Sequence, residues 1–542
     1  MKKLLALSMT VMMLLAAGCQ PAGNAQNGNA PGNTPMPVSL GEGSPTGEIT
    51  VSAYDYMQYG QFLESAARKF EAQHEGTKIN VNVFSSMPEI KTVQSDGGMS
   101  VAMIENTNNP DAINDYIRAL NTELMSGGGA DVLAMDVIPY YKYAEAGQLV
   151  DMSAFMEQDA AFNRADYYEG VLDAVRYKGG QYIMPVDMMY QYLTYNKELL
   201  SEAQIAEIQS KSGLTYADML SIAGAQFAAK EDVSLLSENK EELLMNLIAM
   251  RGTEFLNLED KTCNFTSGAF EQLLHDVAQY EKDGFLPPMI GLDMEEMLGG
   301  VITGGAMSIM MGGSTESYFA SNSGRSLMNH FNTNADGRQM VMRIGGPSTE
   351  NHEIAGLLLN DGGAAEVMFS GAYGINANTE NPELAWEFIK FLMSEEIQLS
   401  MMMGGIPVHK AAAEESVKQQ IANQMFMGTS VAMAVPAPSE EGGGNAAEDG
   451  ETNASMPIGS LGEFREPAFV KAELTPEQTE VYDRYMAQFN AFVAKLTTHS
   501  VTDDNFNIII GNETEKFFSG EASAEDVARA LQSKIGLILS EQ

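Results

Sequence analysis

The first regular segments of the chain are a strand, an amphipathic helix and a second strand, and that order constrains the fold more than any other feature. Glu48-Ile49-Thr50-Val51-Ser52-Ala53-Tyr54 reads as an extended segment. From Gln61 to His74, Phe62, Leu63, Ala66, Ala67 and Phe70 recur at helical spacing on one face. Lys78-Ile79-Asn80-Val81-Asn82-Val83-Phe84 then alternates apolar and polar residues as a half-buried strand does. A β-α-β unit requires parallel strands joined by a crossover, so the chain belongs to the α/β class. In such sheets ligands gather beyond the carboxyl ends of the strands. The first strand ends in Tyr54, Asp55 and Tyr56, a polar and aromatic group suited to binding.

The stretch 129–200 carries the next constraint. Asp131-Val132-Leu133-Ala134-Met135 is expected to be a short buried strand ending at Asp136. The turn Lys178-Gly179-Gly180 launches a second strand, Gln181 to Val186. Asp187, Met188, Met189 and Tyr190 follow, then an alternating run to Tyr195 and a helix opening at Asn196-Lys197. The chain is expected to leave one lobe near Val186 and to enter another by Tyr195, with the ligand site beside that crossing. Beyond it the sequence is rich in helices, expected over 216–230, 240–251, 267–283, 384–393, 394–403, 476–496, 505–518 and 524–539. Further strands are expected at 306–311 and 341–344, and a strand or close backbone approach at 371–376. Trp386, the one tryptophan, lies on an apolar helix face with Phe388, Ile389 and Leu392 and is expected in the core.

Composition removes several functional classes. The formal charge of −42 is the reverse of what binding to nucleic-acid phosphates needs. It also opposes electrostatic adhesion to anionic lipid. There are two cysteines, Cys19 and Cys263, and one lies in the leader, so neither a disulfide framework nor a cysteine-rich zinc site can be built. The six histidines are scattered and lack metal-ligand spacing, and no His-Glu-x-x-His or Gly-x-Ser-x-Gly motif is present. The glycine-rich run 299–313 lacks the Gly-Lys-Ser/Thr of a phosphate loop. No catalytic residue, metal or cofactor is therefore assigned. The 38 methionines suit irregular core gaps, and a few, such as Met135, Met188, Met189 and Met311, are candidates for an adaptable pocket wall.

The two ends of the chain differ from its body. Lys2-Lys3, an apolar run from Leu4 to Ala17, and Ala16-Ala17-Gly18-Cys19 have the form of a signal peptide. The small residues before Cys19 resemble a bacterial lipobox, which implies lipidation of Cys19 and a membrane anchor on the extracytoplasmic face. Residues 20–47, rich in Gly, Asn and Pro, are expected to be a tether, and 437–455 a flexible acidic loop.

Taken in order, these segments resemble an extracellular solute-binding protein of an ABC importer, of the large class that includes the maltose-binding protein. The resemblance runs from Gly47 to Gln542. It rests on Asp131-Val132-Leu133; on Tyr143-Ala144-Glu145-Ala146-Gly147-Gln148-Leu149-Val150-Asp151; on Tyr177-Lys178-Gly179-Gly180-Gln181-Tyr182 before Met184-Pro185; and on Tyr195-Asn196-Lys197-Glu198-Leu199-Leu200. Later come Ala306-Met307 with Gly312-Gly313, and Asn381-Pro382-Glu383-Leu384-Ala385-Trp386. The resemblance implies an α/β fold of two lobes joined by hinge crossings, of the type II periplasmic-binding-protein kind, with a ligand cleft between them. It implies a first lobe of 48–186 plus 341–405 and a second of 190–340 plus 408–542. The expected ligand contacts are Tyr54, Asp55, Tyr56, Asp136, Asp187, Tyr190, Ser314 and Glu316. The implied partners are a small solute, by family default a saccharide, and the transmembrane subunits of an ABC permease, served by a monomer. Ser314 stands where oligosaccharide binders of this class often carry Trp, so a non-sugar solute such as a peptide or a polyamine remains an alternative, as does a sensor that presents its ligand to a membrane receptor.

Overall fold

The computed structural model describes residues 45–55, 59–85, 89–94, 100–105, 110–224, 227, 233–287, 326–332, 351–400, 405–427, 471–499 and 504–541. The leader with Cys19, the tether up to Ser44, Tyr56, Ser314, Glu316, the acidic loop and the strands expected at 306–311 and 341–344 lie outside the described residues.

In chain order the described strands are β1 (Gly47–Asp55), β2 (Thr77–Ser85), β3 (Glu89–Gln94), β4 (Ser100–Glu105), β5 (Val132–Ala134), β6 (Met184–Pro185), β7 (Asp187–Asn196), β8 (Gly213–Leu214), β9 (Leu256–Asn257), β10 (Thr262–Cys263), β11 (Met328–Asn332), β12 (His352–Leu358), β13 (Ala365–Met368), β14 (Ala372–Ile375), β15 (Ile406–Pro407) and β16 (Leu496–Thr498). The β-α-β start forms as its pattern requires. β1 and β2 pair in parallel from Gly47↔Thr77 to Asp55↔Ser85, with the helix Tyr59–Gln73 between them. Phe62, Leu63, Ala66, Ala67 and Phe70 turn inward. β3 and β4, which the sequence pattern does not single out, form a separate antiparallel hairpin.

Two larger sheets organise the molecule. The first has the order β2-β1-β5-β14-β6. β5 lies parallel to β1, and β14 runs antiparallel to both β5 and β6. Gly374 in β14 is a close approach, since a Cβ there would stand 3.0 Å from Leu149 Cδ2 and 3.1 Å from the Tyr182 carbonyl. The second sheet has the order β16-β13-β7-β12-β8, with β11 and β15 also on β7. β7 is its axis and has β11, β12, β13 and β15 as antiparallel partners.

The crossing between the sheets is abrupt. β6 ends at Pro185 in the first sheet and β7 begins at Asp187 in the second. The second strand expected from Gln181 shortens to Met184–Pro185, because only these residues meet a partner, β14. The helix expected at Asn196-Lys197 starts instead at Glu202, where Ser201 and Gln204 form a capping box. Among the described residues of 216–230, the structure has a short helix, Tyr216–Met219, that passes into a wider π turn over Leu220–Gly224. Residues 352–368 were expected with the first lobe, yet β12 and β13 pair with β7 in the second sheet. The chain therefore returns to the first sheet between Met368 and Ala372. It meets β7 again at β15, where Ile406 pairs with Met188.

Helices cover the sheets. Pro382–Leu392 buries Leu384, Ala385, Trp386, Phe388, Ile389 and Leu392. Trp386 is in the core as expected, with its Nε1–H donating to Asp159 at 2.9 Å. Asn381 does not cap this helix through its side chain but donates to the Glu48 carbonyl at 3.2 Å, tying the helix start to β1. The helices Ala269–Lys282 and Asp504–Phe518 pack on the helix Lys240–Met250 and on each other, and the helix Ala524–Glu541 packs on both of them, around Phe270, Leu274, Val277, Ile510 and Leu531. Among the described residues no helix is long and apolar enough to cross a membrane.

Candidate functional site

A cavity of about 490 Å³ opens where the carboxyl end of β5 faces β13 and the middle of β7. From the first sheet come Met135 and Asp136, then Val137 to Tyr141, with Ile113, Asn114 and Ile117 from the helix Pro110–Met125. From the second come Gln191 of β7, Glu366 to Met368 of β13 and Phe369. Helices on the second side add Asn246 and Met250 on one and Asn505, Asn507 and Ile508 on another, and His499 closes the wall. The cavity thus takes side chains from both sheets, and it lies off a strand's carboxyl end, as α/β architecture favours.

Its chemistry divides into rings and polar groups. His499 lies over Tyr140 with ring centroids 6.2 Å apart and against Phe369 at 4.9 Å. Its Nδ1 is 2.9 Å from the Val367 carbonyl, a contact in which Nδ1–H donates and Nε2 is left as the basic nitrogen. Burial pushes the imidazole's pKa down, against a smaller upward effect of that bond, so the ring is neutral at pH 7. The Tyr140 hydroxyl donates to the Val175 carbonyl at 3.3 Å, which anchors the aromatic wall to the first lobe's interior.

Asp136 is a strongly perturbed group on the wall. Burial pushes its carboxyl up to about 7, two backbone N–H groups (its own and that of Val137) pull it down, and the Asp187 carboxylate pushes it up again. Its Oδ1 is buried and has no hydrogen-bond partner among the described residues. A buried acceptor without a donor carries a desolvation cost that a ligand hydroxyl or N–H can remove.

The other expected contacts fall elsewhere. Asp187 is 1 % exposed and spent on the protein. Oδ1 accepts from the backbone N–H of Ser370 at 2.8 Å and of Gly371 at 3.2 Å. Oδ2 accepts from the Ser370 hydroxyl and from the Gly405 N–H at 2.5 Å. One carboxylate thereby ties together the three segments where the chain meets the boundary between the sheets. Tyr54 is buried with its ring 6.2 Å from Phe84 and 5.9 Å from Tyr116, outside the cavity lining. Asp55 accepts from the Gly60 N–H at 3.1 Å and so supports the start of the first helix. Tyr190 is buried against Phe492 at 6.2 Å. The alternation of β7 puts Tyr190 and Tyr192 on one face and Gln191 on the other, so the cavity receives the polar neighbour and not the tyrosine. Of the expected contacts only Asp136 lines this cavity; Tyr56, Ser314 and Glu316 lie outside the described residues.

Tyr140, Tyr141, Phe369, Gln191 and His499 were not singled out from the sequence. A signal exists for the first two, since they open a helix directly after a strand end, behind Pro139. For Phe369 and His499 none exists, because they come together only when β13 pairs with β16.

The comparisons agree with this architecture. The family model for bacterial extracellular solute-binding proteins matches residues 90–426. Among solved structures, the sugar-binding protein MalE of Xanthomonas citri aligns with a TM-score of 0.51 at 14 % identity, over 91 % of this chain and 98 % of that one. An extracellular solute-binding protein, family 1, of Alicyclobacillus acidocaldarius gives 0.49 at 14 % over 92 % and 100 %. An ABC substrate-binding protein of Listeria monocytogenes in complex with cycloalternan gives 0.46 at 16 %, again over 92 % and 100 %. No curated protein sequence matches the chain. At these identities the MalE likeness establishes the α/β, two-lobe binding-protein fold.

Proposed function

The chain belongs to the bacterial extracellular solute-binding proteins, binding proteins rather than enzymes, and on that premise we propose that it captures a saccharide between its two sheets and delivers it to an ABC permease. The observation that carries the reading is the cavity itself. Both sheets line it, rings flank it, amides of Gln191, Asn246, Asn505 and Asn507 face it, and the unsatisfied Oδ1 of Asp136 sits on its wall. Aromatic faces stack on the apolar faces of sugar rings, and amides and carboxylates bond to hydroxyls. Sugar-binding neighbours in the fold support the choice of solute class.

In this reading the lobes are the bodies built on the two sheets. The hinge is the set of segments gathered by Asp187, near residues 186, 369–371 and 405. A solute that touches both bodies stabilises the closed arrangement by its differential affinity, and the closed form is what a permease recognises. The protein acts as a monomer on the extracytoplasmic face, held by lipid on Cys19 and a tether through residue 47.

A thermal-shift screen of mono- and oligosaccharides, followed by small-angle scattering with and without each hit, tests the proposal. A specific sugar should raise the melting temperature by mass action and reduce the radius of gyration. Melting and scattering that no sugar alters would overturn it.

A further inference from the structure

Two acids lie within electrostatic reach of each other, Asp136 after β5 and Asp187 at the start of β7, and the fold supplies a full set of hydrogen-bond donors to only one of them. Asp187 accepts from the backbone N–H groups of Ser370, Gly371 and Gly405 and from the Ser370 hydroxyl. Burial raises its pKa and these donors oppose the rise, so of the two it is the acid equipped to carry a charge. Asp136 has the backbone N–H groups of itself and Val137 near its carboxyl, yet its Oδ1 is buried on the cavity wall without a partner. Coupled acids do not ionise with equal ease, since the first charge opposes the second. The proton therefore stays on Asp136, at the oxygen that lacks a donor.

The rest of the wall leaves that proton in place. The described lining holds no lysine or arginine that would favour the ionised form. The titratable groups around Asp136 are Tyr140 and Tyr141 from the helix that follows it, Tyr116 from the helix Pro110–Met125, Glu366 of β13 and His499 after β16. Burial raises Tyr116 and Tyr140 and lowers His499, so these three are neutral near pH 7. Glu366 is engaged in an interaction of its own. Asp136 is half-buried in the empty cavity, and a solute that fills the space displaces the water that still reaches it. Losing that water costs a carboxylate far more than it costs a carboxylic acid, so capture favours the protonated form further.

We propose that Asp136 meets the solute as a protonated carboxyl, donating from Oδ1 to a solute oxygen that carries no hydrogen, and that losing this proton as pH rises favours release. This rests on the reading of the cavity as the capture site. For a saccharide the accepting atom is a ring, glycosidic or acetamido oxygen, because a hydroxyl can turn its own hydrogen toward an ionised carboxylate and would not sense the proton. With Asp136 ionised, its charge faces the lone pairs of the accepting oxygen, and the contact that ties the solute to the first sheet becomes repulsive. The proton gained on capture comes from solvent.

Calorimetric titration of the full chain with maltotriose and with tri-N-acetylchitotriose, at about pH 6 and about pH 8.5 and in two buffers of different ionisation enthalpy, tests the proposal. A trimer that binds should do so about tenfold or more tightly at the lower pH, and its binding at the higher pH should take up close to one proton. His499 is already neutral across this range and supplies none of that uptake. Asp136→Asn keeps a neutral donor at every pH, so it should abolish the pH dependence and the proton uptake and bind more tightly than the parent at about pH 8.5. Asp136→Ala removes the donor and should bind about tenfold more weakly than the parent at about pH 6. The parent's own proton uptake keeps the test decisive if a variant folds poorly. Equal affinity at both pH values, proton release on binding, or a folded Asp136→Asn that has lost its affinity at about pH 6 would overturn the protonated donor while leaving saccharide capture standing. Absence of binding by both trimers overturns the contact, and the sugar screen above then decides separately whether the capture reading survives.

Discussion

Asp136, half-buried, and Asp187, fully buried, are two acids with opposite duties. Asp187 accepts from Ser370, Gly371 and Gly405 and joins segments far apart in sequence. Replacing it by Ala leaves those donors unpaired at the boundary between the sheets. The expected cost is about 3–5 kcal/mol in urea unfolding, comparable to breaking a buried charge network. Asp136 works the other way. Its pKa is raised in the folded protein, so the folded state keeps a proton that the unfolded chain releases above about pH 4. Its contribution to stability therefore falls as pH rises from about 4 to about 7 and stays low above that. Asp136→Asn removes this dependence. The variant should be more stable than the parent at pH 8, by on the order of 2 kcal/mol once the partial exposure of the side chain is allowed for, and nearly equal to it at pH 4. Equal unfolding midpoints at pH 8 would count against the burial argument. Asp136 was legible as a strand-end acid in the sequence. The orphaned oxygen that distinguishes it from Asp187 was not, because both residues follow short apolar strands and only the folded partners differ.

Among the elements, β7 decides most. Its alternation identifies a strand, but the face that meets the cavity depends on which neighbours pair with it. β11, β12, β13 and β15 lie against a single ten-residue strand. Gly405 shows how closely the last of these approaches, since a Cβ there would stand 2.8 Å from the Met188 carbonyl carbon. Gly405→Ala should force the segment before β15 away from β7 and weaken the Gly405–Asp187 bond. A loss of about 1–3 kcal/mol is expected, read from the shift of the denaturation midpoint at constant m-value. The helices were the most legible elements, because a wide apolar face at 3.6-residue spacing identifies them locally. The exceptions have local causes. The capping box at Ser201 outcompetes Asn196-Lys197 as a helix start, and the turn after Met219 widens and ends the expected long helix early.

At the scale of the whole molecule, an ion pair joins a helix beside the first sheet to the β9–β10 hairpin. Glu145, which ends a helix next to the first sheet, meets Lys178 and the Tyr177 hydroxyl from its own side and Lys261 of the β9–β10 hairpin at 3.3 Å. Burial pushes the Glu145 carboxyl up, but these partners outweigh it and hold the pKa at about 2. Lys261→Ala should change global stability by less than about 1 kcal/mol, since the pair is partly exposed. Its expected effect is on closure, seen as a larger ligand-free radius of gyration in small-angle scattering and a similar enlargement of the parent in high salt. The ends of the chain give a further prediction. Cys19→Ala should move the protein from the membrane fraction to the soluble fraction and abolish metabolic labelling by fatty acid; labelling that persists would exclude Cys19 as the anchor.

By itself the sequence determined the α/β class, the leading parallel unit, the amphipathic helices, the burial of Trp386 and the order of segments that marks the binding-protein family. These are local or near-local properties, set by periodicity, turn residues and charge within a few tens of residues. Only the tertiary structure decided that β12 and β13 join β7 in the second sheet, that Asp187 holds the crossings while Asp136 lines the cavity, and that Phe369 and His499 meet Tyr140. Each of these depends on pairing between residues more than a hundred positions apart. A strand's pattern states which of its faces is apolar, but not which distant strand will cover that face.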